Sequence, residues 1–140
     1  MHSYQLFHQN QQHERQAETR LLLKNFHLLC EQWELSKAES YRLLNLNSLH
    51  QMAHWQQSID NFVLTDVQIE RLSFLLSIHK TLEKAIPNKK VAAQWIHQPQ
   101  KEIEPFNESS PLEVLTKADK HVLGQLVITL AQYFADRPDA

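Results

Sequence analysis

Apolar residues recur at helical spacing along most of this chain. Leu22, Phe26, Leu29 and Trp33 lie four, three and four positions apart, which puts them on one face of a helix predicted over residues 14–34. Ser36 and Glu39 have the form of a capping box, in which each side chain bonds the other's backbone N–H, and they start a short helix that ends near Leu44. Asn45-Leu46-Asn47 then predicts a tight turn, because Asn tolerates the left-handed backbone almost as Gly does. Ser48 and Gln51 form a second box for a third helix with Leu49, Met52, Ala53 and Gln56 on one side. Thr65 and Gln68 form another, opening a long helix to about Ala85 with the stripe Leu72, Leu75, Leu76, Leu82 and Ile86. Pro87 and Asn88 stop it. A short helix over 89–97 follows, then a helical turn from Pro111 to Leu115, for which the proline is a favourable first residue. The last helix, over 118–134, carries Val122, Leu126, Leu130 and Phe134, with Leu123, Val127 and Ile128 widening its apolar face.

Composition sharpens this pattern into an all-α fold. Gly124 is the single glycine and there are five prolines, which disfavours sandwiches, barrels and phosphate-cradling Gly loops. Apolar residues make up 42% of the 140, enough for one core or for two small ones that share an interface. The expected layout is a mobile Gln- and His-rich tail over 1–14, a helix-turn-helix-like bundle over 15–60, and a second helical domain over 61–140. The boundary is expected in the short stretch 60–64. A net charge of −2 gives no general pull toward nucleic acid or acidic membranes. Cys30 is the lone cysteine, so no internal disulfide forms, in keeping with a reducing compartment. No apolar run approaches the ~20 residues that span a bilayer. The first residues lack the basic start and apolar segment of a signal peptide, so the expected location is the cytoplasm.

The long helix, short capped helix, tight turn and short capped helix of residues 14–60 have the order of a helix-turn-helix. In that module the third helix enters the major groove, so Ser48, His50, Gln51 and His54 are the candidate DNA-contacting residues, with Gln51 suited to an adenine edge. Against this, residues 43–70 contain no Lys or Arg, although phosphate contacts supply much of DNA affinity. A three-helix packing unit without DNA binding is the alternative. His50 and His54 share a helical face as zinc ligands do, but Gln51 stands where the metalloprotease motif needs Glu and nothing completes a ligand shell. No metal and no cofactor are expected. Cys30 sits on the apolar side of its helix, where a small buried thiol is the plain reading. No nucleophile, base and orienter stand at catalytic spacing, so the chain is not expected to be an enzyme.

The second half carries a resemblance to a known family. RLSFLLSIHKTLEKAI (71–86), VAAQWI (91–96), then Gln98-Pro99, Phe106 and SPLEVL (110–115) together resemble the toxin-binding domain of the Xre/MbcA/ParS antitoxins. The family pattern is a helix with Arg-Leu and Leu-x-x-Ile, an Ala-x-x-Trp-Leu/Ile helix, a Pro, a Phe or Leu with glycine, then Ser-Pro-Leu. The upstream LCEQWELSKAESYRLLNL is similar to the Xre-like helix-turn-helix that precedes this domain, so the resemblance covers residues 28–134. Asn107 and Glu108 stand where the family has glycine. The resemblance implies an antitoxin that covers the active site of an NAD-consuming toxin of the RES or ParT type and can repress its own operon by binding operator DNA. It implies toxin contacts at Phe106, Asn107, Ser110, Pro111 and Leu112, on the last helix, and at Arg137 near the C-terminus. Two readings stand for several of these: Arg137 as a solvated charge at a frayed end, and Trp95, Phe106 and Leu112 as core. A homo-oligomer is expected from the apolar faces of the fourth and last helices. The alternatives in other classes are a stand-alone transcription regulator and a helical adaptor without a DNA role.

Overall fold

Six helices make up most of the chain described by a computed structural model, which describes residues 2–45 and 63–137, with side chains from Glu14 onward. They are α1 (His2–Gln32), α2 (Lys37–Leu43), α3 (Asp66–Ala85), α4 (Lys89–Ile96), α5 (Pro111–Lys117) and α6 (Lys120–Ala135). The described residues contain no strand, and none of their helices is long and apolar enough to cross a membrane. The expected third helix from Ser48, with Leu49, Met52, Ala53 and Gln56, lies outside the described residues.

The helix ends follow from local side-chain chemistry. Both halves of the capping box form at Ser36 and Glu39, and again at Thr65 and Gln68. Asn88 Oδ1 accepts from the N–H groups of Lys90 and Val91 at 3.0 and 3.1 Å, and Asp119 Oδ1 accepts from Val122 N at 2.9 Å. These bonds satisfy donors that a helix start leaves without partners. α1 closes in a Schellman motif: Glu34 has φ 54°, Glu34 N donates to Glu31 O at 3.1 Å and Leu35 N donates to Cys30 O at 2.9 Å. Asn45 takes the expected left-handed conformation, with φ 67°. At its other end α1 departs from expectation, since the helix begins at His2 and takes in the stretch expected as a tail. No Gly or Pro precedes Pro87, and Gln, Glu, Arg and Leu are good helix formers, so nothing there breaks the helix.

α3 lies at the centre, packed on α1 along one side and α6 along another, with α4 against both α1 and α3. Leu23, Phe26, Leu29 and Trp33 of α1 belong to one continuous apolar cluster with Leu72, Leu75, Ile78 and Leu82 of α3 and Leu123, Leu126, Leu130 and Phe134 of α6. The two expected halves therefore share a core. Leu64, expected in the boundary, is buried, and its N–H donates to the buried Thr19 hydroxyl at 3.3 Å. Two stripes shift by one residue: Leu23 is buried where Leu22 is half-buried, and Leu123 is buried where Val122 is exposed. In each case adjacent apolar residues gave the periodicity two registers, and packing against α3 selects one. The faces of α3 and α6 expected to drive oligomerisation pack on each other through their leucines, while Val122 and Ile128 of α6 stay exposed.

Gly124 sits inside α6 at this contact. A Cβ there would lie 3.6 Å from Phe74 Cζ, an ordinary van der Waals distance. Gly124→Ala therefore fills space without a clash and removes backbone freedom from the unfolded chain. It should raise stability by about 0.4–1 kcal/mol in a denaturant titration; destabilisation would mean the α3–α6 approach is tighter than this.

Candidate functional site

Arg71 of α3 is buried, and among the described residues it forms no ion pair with a carboxylate. Its Nε donates to Leu43 O at 2.7 Å, Nη1 to Ala118 O at 2.6 Å, and Nη2 to Leu115 O at 2.9 Å and Thr116 O at 3.1 Å. Leu43 ends α2, while the other three carbonyls end α5 and turn into α6. Helix C-termini leave such carbonyls without intrahelical partners and carry partial negative charge, so one guanidinium satisfies two helix ends at once. Burial lowers the pKa of the group from its ordinary value. A guanidinium nevertheless stays protonated in proteins, and its planar fork supplies the donors this geometry needs.

The stretch between α4 and α5 is built on aromatic contacts. Phe106 is fully buried, with its ring edge-to-face against Trp95 at 6.0 Å, and Trp95 also meets Phe134 at 5.8 Å. Backbone bonds Gln100 N to Phe106 O and Phe106 N to Ile103 O, each 2.7 Å, fold the segment on itself, with a cis bond at Glu104-Pro105. Ser110 Oγ accepts from Glu113 N at 3.2 Å and so caps α5, whose Pro111, Leu112 and Leu115 point into the core. At the end of α6 the Tyr133 hydroxyl donates to Glu102 Oε2 at 3.1 Å. Arg137 lies 4.2 Å above the Tyr133 ring and 4.0 Å from the same carboxylate. Burial and the bond to Glu102 hold the phenol above its ordinary pKa, with Arg137 opposing.

The expected contact residues thus divide. Phe106, Pro111 and Leu112 are core and cannot form a contact surface as they stand, while Ser110 is spent on its cap. Asn107 and Arg137 are exposed, and Arg137 is held by neighbours rather than loose at a frayed end. Ser48, His50, Gln51 and His54 lie outside the described residues. Among the described residues no cluster of His, Cys, Asp and Glu could hold a metal ion. Burial pushes the Cys30 thiol up to about 11, against a smaller opposing effect from a Ser40 hydrogen bond, so at neutral pH it is protonated and a poor nucleophile. A polar cleft of about 380 Å³ between α2 and α5 is lined by residues including Glu39, Arg42, His97 and Lys117. Sequence reading missed Arg71 and His79 as buried polar groups, since both fall in an amphipathic helix whose leucines dominate the pattern.

His79 contacts α1. Its Nε2–H donates to Gln32 Oε1 at 2.8 Å, its ring meets Trp33 edge-on at 5.8 Å, and its Nδ1 lies 3.8 Å from Glu83 Oε1. With these residues and Lys89 it lines a small cavity of about 50 Å³. Burial lowers its pKa, with Glu83 opposing. No protein-family model matches this chain, and no curated protein or solved structure does either.

Replacing Arg71 by Met keeps apolar bulk but leaves four carbonyls short of a donor. Because stranded buried groups cost ~1–3 kcal/mol each and some here can reach water, the loss should be about 3 kcal/mol, read from urea unfolding. Arg71→Lys should recover only part of it, since an ammonium cannot span both helix ends. For His79 the fold prefers the neutral ring, so its contribution is whole above the unfolded pKa of ~6.5 and is lost as pH falls below it toward the lower folded value. His79→Asn should flatten the stability loss between pH 7 and 5; an unchanged slope would remove His79 as its source.

Proposed function

We propose that this chain is the antitoxin of a type II toxin–antitoxin pair in the cytoplasm. It neutralises an NAD-consuming toxin of the RES or ParT kind by covering its active site, and it performs no chemistry of its own. One observation carries the reading beyond the sequence resemblance. The resembling pieces, spread from Arg71 to Leu115, converge in space: Arg71 bonds the end of the Ser-Pro-Leu helix, and Trp95 packs on Phe106. Residues shared for a structural reason should meet in this way, whereas chance matches have no cause to.

On this reading the apolar motif residues build a scaffold and their exposed neighbours do the touching. Phe106, Pro111 and Leu112 hold the loop in place, and Asn107 with Arg137 faces the toxin. A guanidinium already oriented by an aromatic ring loses little freedom on pairing with a carboxylate in a nucleotide pocket. Operator binding through Ser48, His50, Gln51 and His54 is a second role. What supports it is the capped α2 followed by the left-handed Asn45, a short helix and the start of a tight turn.

The proposal expects an adjacent reading frame that encodes an NAD-consuming toxin, and co-expression with it should restore growth and yield a co-purifying complex; loss of both would end the proposal. Arg137→Ala should weaken that complex about tenfold, equivalent to ~1.4 kcal/mol, while leaving the unfolding midpoint close to wild type. Equal affinity for the variant would take Arg137 out of the contact.

A further inference from the structure

The cleft between α2 and α5 has no part in the contacts assigned above to a toxin or an operator. Its volume of about 380 Å³ falls within the ~300–1,000 Å³ of small-molecule sites. Among the described residues that line it only Leu112 is apolar, so it suits a polar ligand rather than a lipid. Glu39 and Arg42, three residues apart on α2, share a helical face and form one wall. Glu39 Oε1 accepts from Ser36 N at 2.8 Å, and Arg42 Nε donates to Ala38 O at 3.3 Å. Among the described residues neither side chain forms an ion pair, which leaves Glu39 Oε2 and both terminal nitrogens of Arg42 for a ligand. The α5 wall is already balanced, with Lys117 Nζ 3.2 Å from Glu113 Oε1. Thr116 Oγ1 donates to Leu112 O at 2.7 Å, so its lone pairs still accept. His97 Nε2 lies 2.8 Å from Trp33 O. A carbonyl only accepts, so the neutral ring carries its proton on Nε2 and offers Nδ1 as an acceptor.

We infer that this cleft binds a free α-amino acid with a polar side chain, its carboxylate on Arg42 and its ammonium on Glu39. The lining charges, Glu39 and Glu113 against Arg42 and Lys117, sum to zero with His97 neutral. A zwitterion carries opposite charges side by side, as the α2 wall does, and it leaves a neutral cleft neutral. A simple carboxylate would satisfy Arg42 but add uncompensated negative charge beside two glutamates, and a phosphate dianion would add more. A simple amine would leave the guanidinium without a partner. The fork of Arg42 also matches a carboxylate, which it can hold through two parallel bonds. Beyond these charges the ligand meets acceptors at His97 Nδ1 and Thr116 Oγ1 and the remaining N–H donors of Lys117. A side-chain amide, which donates and accepts in one group, fits that mixture, so glutamine is the amino acid of choice for a probe. The two walls belong to the helices whose ends Arg71 ties together, so a ligand touching both stabilises the fold by mass action. Arg42 and Lys117 are exposed, so each contact is modest and the binding weak.

Titration of the full chain with L-glutamine, followed by amide NMR, tests this. The amides of Glu39, Arg42, Thr116 and Lys117 should shift along one saturation curve, and the thermal midpoint should rise with glutamine concentration. N-acetylglutamine lacks the ammonium and glutamine α-amide lacks the carboxylate. Each should bind about tenfold more weakly, the worth of one charged hydrogen-bonded contact. Arg42→Gln should weaken glutamine binding by a similar factor while leaving the midpoint without ligand close to wild type. Glu39→Gln keeps the capping box, since Gln68 makes the same bond at the start of α3. It should abolish the preference for glutamine over N-acetylglutamine. The absence of a saturable shift, equal binding of glutamine and its two blocked forms, or full affinity in Arg42→Gln would each overturn the inference. None of these readouts depends on the toxin.

Discussion

A single buried cation fixes how the halves of this molecule meet. Arg71 reaches from the central helix to the last carbonyl of α2 and to the carbonyls that end α5. Both are short helices of seven residues, too short to be stable in isolation. Their C-terminal carbonyls need donors, and most of them are buried where the chain must supply those donors itself. A guanidinium meets that need with a rigid geometry that fixes where α2 ends relative to α5. The apolar contacts of α1, α3 and α6 supply most of the burial energy, but apolar contact is non-directional. The Arg71 bonds give that contact one register.

Much of the architecture was legible because it is local. The capping boxes at Ser36 and Thr65, the Asn45 turn, the proline-started α5 and the span of α3 all follow from side chains acting within a few residues. The start of α1 was missed because polar residues were equated with disorder, when only Gly or Pro would have stopped the helix. The exact stripe faces were ambiguous wherever apolar residues adjoin, as at Leu22-Leu23 and Val122-Leu123. That the two blocks contribute to one apolar cluster was not legible either, because nothing in periodicity says that the face of α1 belongs against α3. Arg71 and His79 illustrate the same limit. Their roles depend on groups 28 to 47 residues away, which no local pattern reveals.

The candidate site was legible by composition more than by role. The stretch 92–115 does hold the most specific residues of the chain, yet most of them face inward. Trp95, Phe106 and Phe134 form the aromatic packing that holds an irregular segment in shape, and Ser110 and Pro111 start α5. What the segment offers a partner is the polar and charged material these residues carry outward: Asn107, the glutamates around the loop, and Arg137 laid on Tyr133. The occluding role proposed for this chain asks for a surface of fixed shape more than for reactive groups, and this division of labour is suited to it.

Amide hydrogen exchange in the native state tests most directly whether α1 and the C-terminal helices form one structure. A shared core held in register at Arg71 predicts that the slowest amides of α1 between Leu23 and Trp33, of α3 and of α6 open together with one common free energy. Exchange of the α1 amides through a separate opening several kcal/mol lower in free energy would contradict it. The first block would then be an independent module resting on the second.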